Sequence, residues 1–96
     1  MIVADFSMVP MGSGTSAAKY IRAVYDLLKE SDVKFISGPM STSVETKSFE
    51  ELFELMEKAN QRLEEMGVQR IITSIRIDYR LDKEISIESK LRAISK

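Results

Sequence analysis

The 96-residue chain contains neither cysteine nor histidine. Zinc sites built from thiolates and imidazoles, thioredoxin-like redox chemistry, a Ser-His-Asp triad and a cysteine nucleophile are therefore excluded. A metal site would need oxygen ligands alone, and the sequence has no EF-hand loop. Acid–base chemistry would fall to Asp, Glu, Lys or Tyr. The composition thus predicts a protein that is not an enzyme and that uses neither a metal nor a cofactor.

Long apolar runs and an excess of one charge are missing as well. No run of about 18 apolar residues indicates a membrane span, and no basic start with an apolar middle indicates a signal peptide. The 14 basic and 15 acidic residues give a net charge of −1, which leaves no electrostatic footprint for a nucleic-acid backbone. Length and composition predict one domain over residues 1–96, cytoplasmic, with no nucleic-acid or membrane partner.

Two segments alternate between apolar and polar residues as β-strands do. From Arg70 to about Arg80 the two sides of the predicted strand are Ile71, Thr73, Ile75 and Ile77 against Ser74, Arg76, Asp78 and Arg80, with Ile72 as the exception. A second strand is predicted from Ile2 to Val9, with an apolar and a mixed face. Pro10 is expected to end it, because proline cannot donate to a ladder.

A glycine-containing loop and an amphipathic helix follow the first strand. The loop comprises residues 11–14. Residues 12–16, between strand and helix, lie where a phosphate cradle would, but their spacing is not that of a Walker A motif. The loop is interpreted as flexible, with a ligand-facing role as the alternative. Thr15 or Ser16 is expected to cap a helix that runs to about Glu30. Its apolar stripe predicts the buried face: Ala17, Tyr20, Ile21, Val24, Leu27 and Leu28. Tyr20 is expected either to border a pocket or to anchor the helix.

Residues 33–37 and 40–46 predict a hairpin around the turn at Gly38 and Pro39. One face of its second strand would carry Met40, Thr42, Val44 and Thr46, and the other Ser41, Ser43 and Glu45.

A second helix is predicted after the hairpin. Ser48 and Glu51 match a capping box, and Gly67 is typical of a helix C-terminus near Met66. The residues predicted to face inward are Phe49, Leu52, Phe53, Met56, Ala59, Leu63 and Met66. A last short helix is expected after Ser86, with Ile87, Leu91 and Ile94 on one side.

The order β-α-β-β-α-β plus a terminal helix predicts an α+β, ferredoxin-like sandwich with a four-stranded antiparallel sheet. The first strand would lie between the third and the last, and both long helices would cover one face of the sheet. The other face is expected to be left open, with Asp5, Ser7, Ser43, Glu45, Ser74, Arg76 and Asp78 beside Val3, Val9 and Ile72. A face of this mixed character predicts that a partner subunit covers it.

The acidic residues of this face have two interpretations. Asp5, Glu45 and Asp78, with Arg76, would form salt bridges between subunits, or the carboxylates would bind a cationic heterocycle. A carboxylate accepts two hydrogen bonds and so pairs well with an aminopyrimidine or a protonated ring nitrogen. The hydroxyls that would complete such a site are those of Ser7, Thr42, Ser43 and Ser74.

Several segments resemble the small thiamine-binding protein family, long catalogued as proteins of unknown function. They are residues 1–10, 38–45, 73–82 and 87–91. The segment from Gly38 to Glu45 is the most specific of them, as Gly-Pro-Met-x-Thr-x-x-Glu. It differs from the usual pattern at Ser41 and Thr46, where family members carry glycine.

The resemblance implies a ferredoxin-like subunit that forms dimers and commonly tetramers, without established catalysis. It also implies binding of thiamine or its hydroxymethylpyrimidine moiety, for uptake, salvage or buffering. The alternative is a structural or regulatory oligomeric module that uses its open face only for assembly. An enzyme that uses the carboxylates is a third possibility.

Overall fold

The computed structural model describes residues 1–12, 14 and 17–95. Its elements are β1 (Ile2–Met11), α1 (Ala18–Glu30), β2 (Lys34–Ser37), β3 (Thr42–Thr46), α2 (Phe49–Glu65), β4 (Arg70–Asp78) and α3 (Ile87–Ile94). The four strands form one antiparallel sheet in the order β2-β3-β1-β4. The predicted α+β, ferredoxin-like architecture is therefore confirmed, with β1 in the predicted central place. None of the helices in the described ranges is long and apolar enough to cross a membrane.

The hairpin between β2 and β3 turns later than predicted. β3 begins at Thr42, which pairs with Ser37, and not at Met40. The Gly38 N–H donates to the Ser41 carbonyl at 2.9 Å, and this bond closes a four-residue turn. Met40 and Ser41 therefore belong to the turn and project beyond the paired strands.

Local capping signals place the ends of α2. The Ser48 hydroxyl accepts a hydrogen bond from the Glu51 N–H at 3.1 Å, as the capping box predicts. The Glu51 carboxylate, however, accepts from the N–H of Lys47 and not from that of Ser48. At the other end Gly67 takes φ 91°, and the next N–H, of Val68, returns to the Leu63 carbonyl in a Schellman motif.

The start of α1 differs from that of α2. Ala17 stands at its N-cap position and makes no side-chain capping bond. The residues predicted to cap it, Thr15 and Ser16, lie outside the described part of the chain.

The core lies between the two long helices and one face of the sheet, but its helical stripes are narrower than predicted. The buried positions are Tyr20, Val24, Leu27 and Leu28 in α1 and Leu52, Leu55, Met56, Ala59 and Leu63 in α2. The inward prediction was wrong for five exposed residues: Ala17, Ile21, Phe49, Phe53 and Met66. Phe49 and Phe53 lie beside the stripe, and Phe49 packs against Tyr79 with ring centroids 4.9 Å apart. Leu55 was missed.

The prediction that the chain leaves one sheet face open was wrong at one end of that face. Val3 is buried there in a second apolar cluster with Ile85 and Ile87, because the chain after β4 folds back across the sheet. At the other end the prediction holds: Val9 and Ile72, paired across β1 and β4, are 49% and 44% exposed. The face therefore has a covered end and an exposed apolar end.

Candidate functional site

A cavity of about 110 Å³ lies where β3 stops pairing with β1. The last pair of that ladder is Phe6 with Thr42, and β1 continues alone with β4 beyond it. The hairpin turn and the first turns of α1 close the space that remains. We call this space the end cavity; its walls are Phe6, Ser7 and Met8 of β1, residues 37–42, Leu63 of α2, and Tyr20, Ile21, Val24 and Tyr25 of α1.

The described walls of the end cavity carry no charged side chain. Three aromatic rings contribute flat apolar surface, those of Phe6, Tyr20 and Tyr25. Hydrogen-bonding groups are contributed by the hydroxyls of Ser7, Ser37, Ser41 and Thr42. Tyr20 is buried and takes the first of its two expected roles, bordering a pocket. A space of this character suits a neutral aromatic ring that carries polar substituents.

Tyr25 is held against the sheet by an aromatic contact. Its ring meets that of Phe35 edge-on, with centroids 5.2 Å apart, and the Lys29 ammonium lies 5.7 Å from its centroid. Such contacts favour this orientation of the ring, which forms the outer wall of the end cavity.

A second, shallower depression of about 360 Å³ lies on the opposite face of the sheet. We call it the open-face groove; it is lined by Val3, Ala4, Asp5, Ser43, Arg76, Ile77, Asp78 and Lys90. Asp5 accepts two hydrogen bonds from Arg76, at 3.0 Å from Nε and 2.6 Å from Nη2. These bonds hold the pKa of the Asp5 carboxyl below its usual value.

The second carboxylate of the groove is also paired. Asp78 lies 2.5 Å from the Lys90 ammonium, which α3 brings over the end of β4. Both acidic residues of the groove therefore face a cation of the same chain. Little uncompensated negative charge is left to attract a cationic ligand.

Glu45 has a structural contact as well. Its Oε1 accepts a hydrogen bond from the Ile87 N–H at 2.8 Å, at the N-terminus of α3. A carboxylate is favourable there because it meets unpaired N–H groups and the positive end of the helix dipole. Glu45 thus fastens α3 to the sheet, and the capping box of Ser86 and Ser89 satisfies further groups at the start of the helix.

We expect Glu45→Ala to destabilise the protein by about 1 kcal/mol, the usual cost of a lost N-terminal cap. Amide exchange should quicken across α3 before it quickens in the core helices. Urea denaturation and hydrogen exchange measure the two effects, with Glu57→Ala, an exposed position of α2, as the control. Equal stability of the two variants would assign no capping role to Glu45.

The residues predicted to form one site are therefore divided among four places. Asp5, Ser43, Arg76 and Asp78 line the open-face groove, whereas Ser7 and Thr42 line the end cavity. Ser74 is exposed on β4 opposite Ser7, and Glu45 contacts α3.

Several residues of these sites were not among the predicted site residues. Tyr25 and Ser41 line the end cavity, and Lys90 lines the groove. Ser41 lies between the two sites, since its hydroxyl is 3.5 Å from Asp5 Oδ2. Its place in the most specific segment of the sequence was the one available signal, whereas Tyr25 and Lys90 are brought in by helix packing alone.

Comparison with known proteins gives one consistent result. A family model described as thiamine-binding protein matches residues 4–95. The UPF0045 protein MJ1052 of Methanocaldococcus jannaschii is 34% identical over 93 residues, which are 97% of this chain and 91% of that protein. The UPF0045 protein YqgV of Bacillus subtilis is 32% identical over 101 residues, with 100% and 96% coverage.

Solved structures agree in fold. The crystal structure of MJ1052 superposes with a TM-score of 0.85 at 35% identity, over 97% of this chain and 94% of the other. A Thermotoga maritima protein described in terms of thiamine biosynthesis or salvage superposes with a TM-score of 0.84 at 23% identity, over 98% of both chains. At that identity the likeness to the Thermotoga protein concerns the fold alone.

Proposed function

The chain belongs to the thiamine-binding protein family, and we propose that it binds thiamine or its hydroxymethylpyrimidine moiety without catalysing a reaction. The observation that carries the proposal is the position of the most family-specific segment. Residues 38–42 of that segment form one wall of the end cavity. The residues that make the chain recognisable are thus residues that shape the end cavity.

The end cavity matches the pyrimidine half of thiamine better than the whole molecule. An apolar cavity of about 150 Å³ binds benzene, so a space of about 110 Å³ is close to the size of one ring. Tyr20 and Tyr25 would contact the ring faces. The hydroxyls of Ser41 and Thr42 would accept from the exocyclic amine or donate to a ring nitrogen.

The cationic thiazolium ring would remain at the mouth, in water. The end cavity offers it no carboxylate, and burying an unpaired charge is costly. The predicted carboxylates Asp5 and Asp78 lie on the other face of the sheet and are already paired. Recognition would therefore depend on shape and neutral hydrogen bonds.

Calorimetric titration of the wild-type protein tests this proposal. We expect hydroxymethylpyrimidine and thiamine to bind, and the isolated thiazole alcohol to bind far more weakly. The thiazole alcohol is the matched control because it is the other half of the same vitamin. Absence of binding for all three at millimolar concentration would reject the function.

We propose further that the protein is a homodimer or homotetramer. Val9 and Ile72 form an exposed apolar patch, and β4 is an unpaired edge strand of the described sheet. Association would remove both from water.

Light scattering at micromolar concentration should give a multiple of 10.9 kDa. Ile72→Glu should shift the mass toward one subunit, since it places a charge in the proposed contact. Leu81→Glu, at a residue 84% exposed beyond the other end of β4, is the control and should keep the wild-type mass. A wild-type mass near that of one chain would contradict the proposal.

The alternative function, a structural or regulatory module without thiamine, has one observation in its favour. Asp5, Glu45 and Asp78 all make contacts within the chain. A protein built only for assembly would keep its sheet face in this paired state. The two functions are separated by the calorimetric titration, because an assembly module would bind neither ligand.

A further inference from the structure

The chain has no cysteine, so its only oxidisable sulfur atoms are the thioethers of six methionines. Their exposure is very uneven. Met40 is 86% exposed, whereas Met1, Met11 and Met66 are 37–39% exposed and Met56 is buried. Since oxidation of methionine follows access of the oxidant to sulfur, Met40 is the position at which a peroxide would react first.

Met40 also lies at a sensitive place. It stands in the turn between β2 and β3 and forms part of the rim of the end cavity. The turn is narrow, because a Cβ at Gly38 would lie only 2.8 Å from the Ser41 carbonyl oxygen. The backbone of this turn is therefore closely packed, and it places the Met40 side chain at the mouth of the cavity.

We propose that Met40 is a redox modification site whose oxidation changes the mouth of the end cavity and weakens ligand binding. In the reaction the thioether sulfur attacks one oxygen of a hydroperoxide and the O–O bond breaks. The sulfur is oxidised by two electrons to a sulfoxide, and the peroxide is reduced, leaving as water or an alcohol after proton transfer. A methionine sulfoxide reductase, with a thiol as reductant, would restore the thioether.

The expected effect follows from the change in polarity. The thioether is flexible, apolar and polarisable, and it suits a rim next to the rings of Tyr20 and Tyr25. The sulfoxide is polar and chiral and holds water strongly. A ligand ring that enters past it would have to displace that water, so the affinity should fall. This expected loss of affinity rests on the proposed function, whereas the expectation that Met40 is oxidised before the other methionines does not.

The test uses limited hydrogen peroxide on the full chain, followed by peptide mass spectrometry. We expect Met40 to be oxidised at least about twice as fast as Met66, because its side chain is more exposed. Hydroxymethylpyrimidine should then bind about threefold to tenfold more weakly, because its entrance is altered. Each protein is compared with itself before and after treatment. Met40→Leu should show no loss on treatment, whereas Met66→Leu should lose affinity as the wild type does.

Two results would overturn the inference. One is oxidation of Met66 as fast as that of Met40, and the other is an equal loss of affinity in wild type and Met40→Leu. If the untreated protein binds no ligand, the proposed function fails. The amide resonances of Tyr20 and Thr42 then test whether oxidation of Met40 still changes the mouth of the end cavity. Peroxide should shift both resonances in the wild type and neither in Met40→Leu; unshifted resonances would remove Met40 as a determinant of the cavity mouth.

Discussion

Replacing Gly38 by alanine should lower the affinity for hydroxymethylpyrimidine by about tenfold or more, which corresponds to at least roughly 1.4 kcal/mol. The added Cβ would lie 2.8 Å from the Ser41 carbonyl oxygen. That atom belongs to the backbone and accepts the hydrogen bond that closes the turn. The turn must therefore open, and the wall of the end cavity moves with it.

The expected loss of affinity in Gly38→Ala comes from the displaced cavity wall more than from a loss of folding stability. We expect Gly38→Ala to cost about 1 kcal/mol of folding free energy, since one strained turn is involved. Binding suffers more, because residues 39–42 all lie on the displaced segment and all line the end cavity. Denaturation and calorimetry on the same variant separate the two quantities.

Gly67→Ala is the matched control. Gly67 has φ 91° and no atom within 4 Å of an added Cβ, so alanine there is strained without colliding with anything. It should cost a similar free energy of folding, about 1 kcal/mol, yet leave the affinity of the folded protein unchanged. If Gly38→Ala binds as tightly as Gly67→Ala, the turn does not shape the ligand site.

The parts of the fold that could be predicted are those set by local signals. Alternation in Ile2–Val9 and in residues 70–80 identified the two longest strands, but not their ends. The prediction that Pro10 ends the first strand was wrong, since β1 continues through it to Met11, and β4 already ends at Asp78. Ser48, Gly67 and Ser86 identified helix ends, because capping depends on a few neighbouring residues. With the order of elements known, the handedness of crossovers then left few topologies, and the ferredoxin-like one was correct.

Burial at the margins of the helices could not be predicted in the same way. Phe49 and Phe53 fit an apolar stripe as well as Leu52 does, but their depth depends on how far the sheet extends beneath α2. Both rings remain exposed: Phe53 stacks on Phe49, and Phe49 packs against Tyr79. The cover over Val3 likewise depends on where Ile85 and Ile87 fold back, which is a tertiary contact.

The candidate site shows the same division. Alternation placed Asp5 and Arg76 on one face of the sheet, and the structure has them on that face. Their direct pairing, however, follows from the register of β1 against β4, and alternation within each strand alone does not say which residues stand opposite each other. The contact of Asp78 with Lys90 requires α3 to fold over the sheet. In a sequence, charged residues that pair with each other look the same as charged residues that are free to bind a ligand, because their partners are visible only in the structure.

Thr42→Val should weaken the binding of hydroxymethylpyrimidine and thiamine alike, by roughly fivefold to thirtyfold. Valine keeps the shape of the side chain and removes the hydroxyl from the wall of the end cavity. A ligand group left without its partner costs about 1–2 kcal/mol. Both ligands share the pyrimidine ring, so a contact to that ring must affect both equally. Calorimetry with both ligands, and with thiamine monophosphate, measures the effect.

Asp78→Asn is the comparison that locates the charged half of the ligand. Asp78 pairs with Lys90 in the open-face groove, on the other face of the sheet from the end cavity. If the pyrimidine ring occupies the end cavity and the thiazolium stays in water, the substitution should change no affinity by more than about twofold.

If thiamine instead lies across the open-face groove, Lys90 loses its partner in Asp78→Asn and repels the thiazolium. Thiamine would then lose affinity while the uncharged pyrimidine alcohol does not. Selective loss of thiamine in Asp78→Asn, together with unchanged binding in Thr42→Val, would move the site from the end cavity to the open-face groove.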